Sequence, residues 1–205
     1  MSILYAITDS HLLPGDKLFS AVEAALQAGC KWIQYRDKSN DQEKRIQDAQ
    51  QLVVLCNQYQ AALIINDDVQ LAVTVNAHGV HLGQEDGSPQ AARKLLGDDA
   101  IIGVTCHDSL AFARQAINDG ASYIAFGRFF PSHTKPNAKS AKFTLISEAK
   151  FQFPGTLVVV IGGITLDNAH LLLDAGADKI AVCHELFSAS NVKRVAEKFI
   201  SLRSL

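Results

Sequence analysis

The 205-residue sequence has no CxxC pair, no long apolar run and no large excess of one charge. Its four cysteines lie far apart, which favours reduced, mostly buried thiols and argues against a zinc site. The formal net charge of -2 provides no broad field to attract nucleic acid or an anionic membrane. No run approaches a membrane span, and the start of the chain lacks the basic region of a signal peptide. We therefore expect a cytoplasmic protein that has neither nucleic-acid nor membrane partners.

The composition is that of a folded protein with a sizeable core. Hydrophobic residues make up 48% of the chain and charged residues 20%. No linker or low-complexity segment divides the sequence, and its length suits one large domain. Residues 1–205 are accordingly predicted to form a single domain, and homo-oligomer formation is left open.

Short β-branched runs alternate with longer segments of helical periodicity along the whole chain. Eight strands are predicted, at 4–9, 32–36, 62–66, 78–82, 101–105, 123–127, 157–163 and 179–182. Helices are predicted near 16–28, 41–58, 68–75, 88–96, 109–118, 142–150, 166–174 and 191–202. Eight strands, each followed by a helix, predict an α/β fold of the (β/α)8 TIM-barrel type. The alternative, a doubly wound open sheet, usually has fewer strands and gathers its polar residues at one crevice. Here polar residues follow nearly every strand.

Acidic residues follow two neighbouring predicted strands. The run ALIIN ends in Asn66, Asp67 and Asp68 come next, and Asp86 follows the fourth strand. Because the C-terminal ends of barrel strands open on one mouth, Asn66, Asp67 and Asp86 are expected to meet there. Two carboxylates, completed by substrate phosphate oxygens, suit Mg²⁺. The plainer interpretation is that these acids cap the next helix, and we expect Asp67 or Asp68 to do so.

Basic residues are predicted across the same mouth. Gln34, Arg36 and Lys38 alternate, so that they point to one side, and Lys135 lies in a polar SHTK segment. Arg36, Lys38 and Lys135 are expected to be unpaired cations that bind a polyphosphate together with the metal. The alternative role of Lys135, a Schiff base, would need an apolar pocket. The IGGIT turn at 161–165 is typical of a phosphate site after the seventh strand, although a turn without a ligand would look the same.

Six motifs occur in order along the chain, namely IQYRDKS, LIINDDVQLA, GVHLGQED, IIGVTCH, FGRFFPSHTK and IGGIT. Together they resemble the thiamine-phosphate synthase family, over almost the whole sequence. The resemblance implies a barrel enzyme of thiamine biosynthesis that uses Mg²⁺ and two small phosphorylated substrates. In that reaction 4-amino-2-methyl-5-(diphosphooxymethyl)pyrimidine loses diphosphate. The nitrogen of 4-methyl-5-(2-phosphooxyethyl)thiazole then bonds to the freed carbon and gives thiamine phosphate.

The resemblance also implies roles for individual residues. Asp67 and Asp86 would hold the metal, and Arg36, Lys38 and Lys135 would be catalytic. The pyrimidine diphosphate would contact Gln34, Arg36, Lys38, Asn66, Thr105 and Lys135. The thiazole phosphate would contact Ser132, His133, Thr134, Gly163, Cys183 and His184. Arg128, Lys179 and His184 depart from the family pattern, and Lys179 and His184 are expected near the thiazole phosphate.

Three other functions stay open on the sequence. A thiazole tautomerase paralogue shares the barrel but lacks the acidic pair of Asp67 and Asp86. A phosphate-sugar isomerase or aldolase on the same fold would need an acid/base pair, and His81 is expected to be a packing residue that faces the barrel top rather than a base. A non-catalytic protein that binds thiamine precursors could keep the whole pocket.

Overall fold

The structure, a computed structural model, describes residues 2–131 and 141–202. In these ranges eight parallel strands form a closed barrel in sequence order, which confirms the predicted (β/α)8 fold. The strands are β1 Leu4–Ile7, β2 Trp32–Tyr35, β3 Ala62–Asn66, β4 Gly79–Leu82, β5 Ile101–His107, β6 Tyr123–Gly127, β7 Leu157–Ile161 and β8 Lys179–Val182. Their runs are largely apolar because both faces of each strand are covered.

Helices follow the strands and pack around the outside of the barrel. In the described ranges they are α1 Lys17–Gln27, α2 Gln42–Gln58, α3 Val69–Thr74, α4 Pro89–Leu96, α5 Leu110–Asn118, α6 Thr144–Gln152, α7 Ala169–Asp174, α8 His184–Phe187 and α9 Val192–Ser201. The one-turn helix α8 was not predicted, because four residues carry too little periodicity to detect. Within the described residues no helix combines the length and apolar character that crossing a bilayer requires.

Three strands end earlier than predicted. Thr8 and Asp9 lie beyond β1, Arg36 lies beyond β2, and the glycines of IGGIT lie beyond β7. These residues follow the last paired residues of their strands, at the C-terminal end of the barrel. The strand pattern located the elements, but it could not separate the paired residues from the polar residues that follow them.

The barrel has two hydrophobic layers. The larger one lies between strands and helices, and cysteines 30, 56 and 106 are buried in it as free thiols, as expected. The smaller one fills the inside of the barrel and includes Tyr5, Ile64, Tyr123 and Val159. The interior is therefore packed with side chains, and a cavity opens towards one end of the barrel.

Lys179 lies at the opposite end of the barrel from the mouth, because it is the first residue of β8. Its side chain is buried, and Nζ donates a hydrogen bond to the carbonyl oxygen of Ser2 at 2.7 Å. The ammonium lies 4.5 Å from the ring centroid of Trp32, a cation–π distance. The expectation that Lys179 lies near a bound phosphate is therefore wrong.

Candidate active site

A cavity of about 700 Å³ opens at the C-terminal ends of the strands. All the sequence-predicted site residues that the structure describes line it. They are Gln34, Arg36, Lys38, Asn66, Asp67, Asp86, Thr105, Gly163, Cys183 and His184. The other four, Ser132, His133, Thr134 and Lys135, lie outside the described residues. The topology thus brings ten residues from six strand ends to one mouth.

The end of β3 directs one carboxylate into this mouth. Asp67 has φ of 64°, in the left-handed region, and its N–H donates to the carbonyl oxygen of His81 at 2.8 Å. Asp68 turns away and caps α3, since its Oδ1 accepts the N–H of Leu71 at 2.9 Å. The sequence left the cap open between Asp67 and Asp68; in the structure Asp68 caps the helix and Asp67 lies in the cavity. A left-handed conformation at a non-glycine residue is uncommon and often accompanies a functional site.

The carboxyl groups of Asp67 and Asp86 lie within hydrogen-bonding distance of each other. Asp86 is also held by the N–H of Gly83, 2.8 Å from its Oδ2. Burial favours the protonated form of both acids. For Asp67 the hydrogen bond and charge of Lys38 and a hydrogen bond from Asp86 outweigh burial and lower the pKa. Burial and the hydrogen bond with Asp67 raise the pKa of Asp86. Two carboxyls this close share a proton unless a cation lies between them.

The residue alternation after β2 is as predicted. Gln34, Arg36 and Lys38 all line the cavity, whereas Tyr35 and Asp37 point outward and are buried against α2. Parallel-strand geometry sends every second side chain to the same face.

The two described cations are not unpaired, which corrects the prediction. Nη1 of Arg36 lies 3.2 Å from Oδ2 of Asp9, and Lys38 forms an ion pair with Asp67. The physical reason is that Asp9 and Asp67 lie within ion-pairing distance of the two cations, and a neighbouring carboxylate offsets the cost of the partial burial of Arg36. Both pairs lie at the cavity wall.

Two glycines after β7 form the opposite wall. Gly162 has φ of 105° and Gly163 has φ of 63°, which favour glycine. A Cβ at Gly163 would lie 2.2 Å from the carbonyl oxygen of Pro131, so no larger side chain fits. Cys183 and His184, at the start of α8, line the same cavity. This wall presents exposed backbone and polar groups to a ligand.

A hydrogen-bonded chain of side chains crosses the floor of the cavity, and the sequence did not reveal it. Nε2 of Gln34 lies 2.7 Å from Oη of Tyr5, which lies 2.8 Å from Oη of Tyr123. His81 continues the chain, with Nδ1 at 2.8 Å from Oη of Tyr123 and Nε2 at 2.8 Å from Oγ1 of Thr105. The sequence does indicate that a buried tyrosine needs a hydrogen-bond partner for its hydroxyl. It does not indicate which residue this is, because the partner lies on another strand.

Known proteins resemble this chain in sequence. The family model described as thiamine monophosphate synthase matches residues 4–186. The chain belongs to the thiamine monophosphate synthase family. A thiamine-phosphate synthase from Saccharophagus degradans is 52% identical over 200 residues, which cover 97% of this chain and 92% of that protein.

Solved structures agree with this family and with the barrel. A thiamine phosphate pyrophosphorylase from Pyrococcus furiosus has a TM-score of 0.87 at 31% identity, covering 98% of this chain and 95% of that one. The (S)-3-O-geranylgeranylglyceryl phosphate synthase from Thermoplasma acidophilum has a TM-score of 0.70 at 16% identity, covering 98% and 92% of the two chains. At that identity the second likeness shows the fold alone.

Proposed function

We propose that this member of the thiamine monophosphate synthase family is an Mg²⁺-dependent transferase that joins the pyrimidine diphosphate and the thiazole phosphate to give thiamine phosphate and diphosphate. The observation that carries the proposal is the adjacent pair of Asp67 and Asp86, which shares one cavity with Arg36 and Lys38. Carboxylates and cations together suit a substrate that brings its own negative charge and a metal ion. A cytoplasmic location and homo-oligomer formation stay predictions.

The donor set fits Mg²⁺. Asp67 and Asp86 supply two carboxylates at hydrogen-bonding distance, and the amide of Asn66 lines the cavity beside them. Mg²⁺ is usually held by one or two carboxylates and completed by water and substrate phosphate, and these two acids match that pattern. When bound, the ion would offset negative charge on the leaving diphosphate.

The cationic side would hold the pyrimidine diphosphate. Arg36 and Lys38 lie on one wall, and Lys135 from the segment outside the described residues is proposed to join them. On binding, the diphosphate would replace Asp67 as the partner of Lys38, and Arg36 would contact the diphosphate while Asp9 keeps the guanidinium in place. Gln34, Asn66 and Thr105 supply uncharged polar groups to the same substrate.

The chemistry needs charge stabilisation rather than a strong base. The bond between the pyrimidine methylene carbon and the diphosphate oxygen breaks, and its electron pair leaves with the diphosphate. The lone pair of the thiazole nitrogen then forms the new bond to that carbon. No proton is removed from carbon in these two steps. Fixed cations beside the leaving group would lower the barrier because they meet charge as it develops.

The glycine wall would hold the thiazole phosphate. Gly163 offers backbone close to the cavity because no side chain intervenes, and Cys183 and His184 lie beside it. The proposed remaining contacts, Ser132, His133 and Thr134, come from outside the described residues.

The test is diphosphate release from purified protein with each substrate alone, with both, and with or without Mg²⁺. Release that requires both substrates and the metal supports the synthase. Turnover of a thiazole substrate alone, without metal, would instead identify the tautomerase. Binding of both precursors without release would identify a non-catalytic protein. Lys135→Ala is expected to impair use of the pyrimidine diphosphate while leaving the melting temperature close to that of the wild type.

A further inference from the structure

The polar chain across the cavity floor has a direction, and its two ends are proposed substrate contacts. Gln34 is at one end and Thr105 is at the other, 71 positions later in the sequence. Three side chains connect them, Tyr5, Tyr123 and His81. Gln34, Tyr5 and Tyr123 are at most 2% exposed, so water is kept from most of the links.

The direction follows from the donor at the start of the chain. Nε2 of Gln34 can donate a hydrogen bond but cannot accept one, so Oη of Tyr5 must be the acceptor. A phenol has one hydrogen. Tyr123, at 2.8 Å, is the acceptor that the described residues offer to the buried hydroxyl of Tyr5, whose hydrogen would otherwise be unpaired. Burial raises the pKa of both phenols, so both keep their hydrogen. Because Tyr123 accepts from Tyr5, its own hydroxyl hydrogen is available for its other neighbour in the chain, His81.

The last two links transmit this direction to the cavity. In this direction Tyr123 donates to Nδ1 of His81, so that nitrogen carries no proton and the ring proton lies on Nε2. Nε2 donates to Oγ1 of Thr105 at 2.8 Å. The hydroxyl hydrogen of Thr105 is then not used within the chain and can be donated towards the cavity, which Thr105 lines.

The reverse direction would have the opposite consequence. If His81 carried its proton on Nδ1, its Nε2 would accept the hydroxyl hydrogen of Thr105. Thr105 would then present only lone pairs to the cavity. An anion such as a diphosphate would be repelled by those lone pairs and attracted by a donated hydrogen.

We infer that Tyr5, Tyr123 and His81 are positioning residues that fix the proton of His81 on Nε2 and so make Thr105 a hydrogen-bond donor to the diphosphate. The chain acts through Thr105 and carries no proton during the reaction. This role rests on the proposed function, because it names the same substrate. In this role Thr105 contributes a hydrogen bond to substrate binding and does not merely occupy space in the cavity wall.

The proton position can be measured without turnover. Two-bond ¹H–¹⁵N spectra of ¹⁵N-histidine-labelled protein, with His81→Asn for assignment, distinguish the protonated from the unprotonated ring nitrogen. We expect Nε2–H as the single tautomer of His81 in the substrate-free protein. A Nδ1–H tautomer, or a mixture of the two, would overturn the inference while leaving the synthase proposal intact.

Kinetics test the consequence for the substrate. Thr105→Val should raise KM for the pyrimidine diphosphate about tenfold, as expected for one hydrogen bond to a charged group, and leave KM for the thiazole phosphate unchanged. In a Tyr123→Phe background the same substitution should have a much smaller effect, because the direction of the chain is already lost. Equal effects in the two backgrounds would refute the coupling.

A matched control variant tests whether loss of a tyrosine hydroxyl alone changes KM. Tyr59→Phe removes a hydroxyl that donates to Glu23 at 2.9 Å, away from the cavity, and should leave KM unchanged. If Tyr123→Phe does not fold, Tyr5→Phe interrupts the chain one link earlier and serves as the second background. Absence of any turnover in the wild type would refute the proposed synthase, and the tautomer spectrum would still decide the direction.

Discussion

Asp9 and Arg36 form an ion pair at the mouth of the barrel, with 3.2 Å between Oδ2 and Nη1. They follow neighbouring strands, and the pairing is reinforced by Thr8, whose Oγ1 accepts the N–H of Arg36 at 2.9 Å. The other oxygen of Asp9 accepts the N–H of His11 at 2.9 Å. The hydrogen bond within this turn fixes the carboxylate of Asp9. The fixed carboxylate then orients the guanidinium of Arg36 at the cavity wall.

We expect Asp9→Asn to lower kcat/KM for the pyrimidine diphosphate about tenfold, because the guanidinium loses the charged partner that orients it. Oδ1 of the amide can still cap the turn, so the melting temperature should change little. Asp41→Asn is the matched control, since Asp41 also caps a turn but does not line the cavity. Unchanged kinetics in Asp9→Asn would mean that Arg36 is oriented without this pair.

Gly103 makes room for Tyr123 inside the barrel. A Cβ at position 103 would lie 1.9 Å from Cζ of Tyr123, so Gly103→Ala should displace the ring. We expect a loss of stability of about 1–3 kcal/mol, the usual cost of overpacking a core. In a Tyr123→Leu background the added cost should be far smaller. The measurement is the free energy of unfolding of all four proteins in a denaturant, and equal costs in both backgrounds would contradict the contact.

Asp37 gives the protein an acid-sensitive contribution to stability. Burial would raise its pKa, but hydrogen bonds from Lys44 and from the N–H of Ser39 outweigh burial and lower it to about 2. The folded state therefore favours the ionised form. Its stabilisation is complete above the unfolded pKa near 3.8 and is lost as the pH falls towards 2. Because Lys44 is 42% exposed, screening limits the contribution to about 1 kcal/mol.

The check is the free energy of unfolding of the wild type and Asp37→Asn as a function of pH. The difference between the two should be constant from neutral pH down to about pH 5 and should narrow below about pH 4. Asp174→Asn, at the end of α7, is the control for a surface carboxylate. A difference that stays constant down to low pH would show that Asp37 does not titrate as its contacts require.

The sequence predicted the barrel well because its strand runs and helical stripes report burial directly. It also predicted that Asn66, Asp67 and Asp86 meet, since barrel topology alone brings successive strand ends to one mouth. Alternation placed Gln34, Arg36 and Lys38 on one side for the same reason. These predictions depend on the period of the strand and the order of the elements, and both can be read along the chain.

Pairings between distant side chains could not be predicted. Nothing near Arg36 in the sequence indicates Asp9, and nothing near Tyr5 indicates Tyr123, because barrel closure and side-chain rotamers bring these groups together. Lys179 was misplaced for a related reason. Its position at the start of β8 puts it at the bottom of the barrel, although Cys183, four residues later, is at the top.

The proposed function depends most on Asp67 and Asp86 holding one divalent cation between them. Mn²⁺, which electron paramagnetic resonance detects, can replace Mg²⁺ in a titration with diphosphate present. We expect one bound ion per wild-type chain, at least tenfold weaker binding in Asp67→Asn and in Asp86→Asn, and no change in Asp48→Asn, whose carboxylate is outside the cavity. Equal affinity and stoichiometry in all four proteins would contradict the central claim.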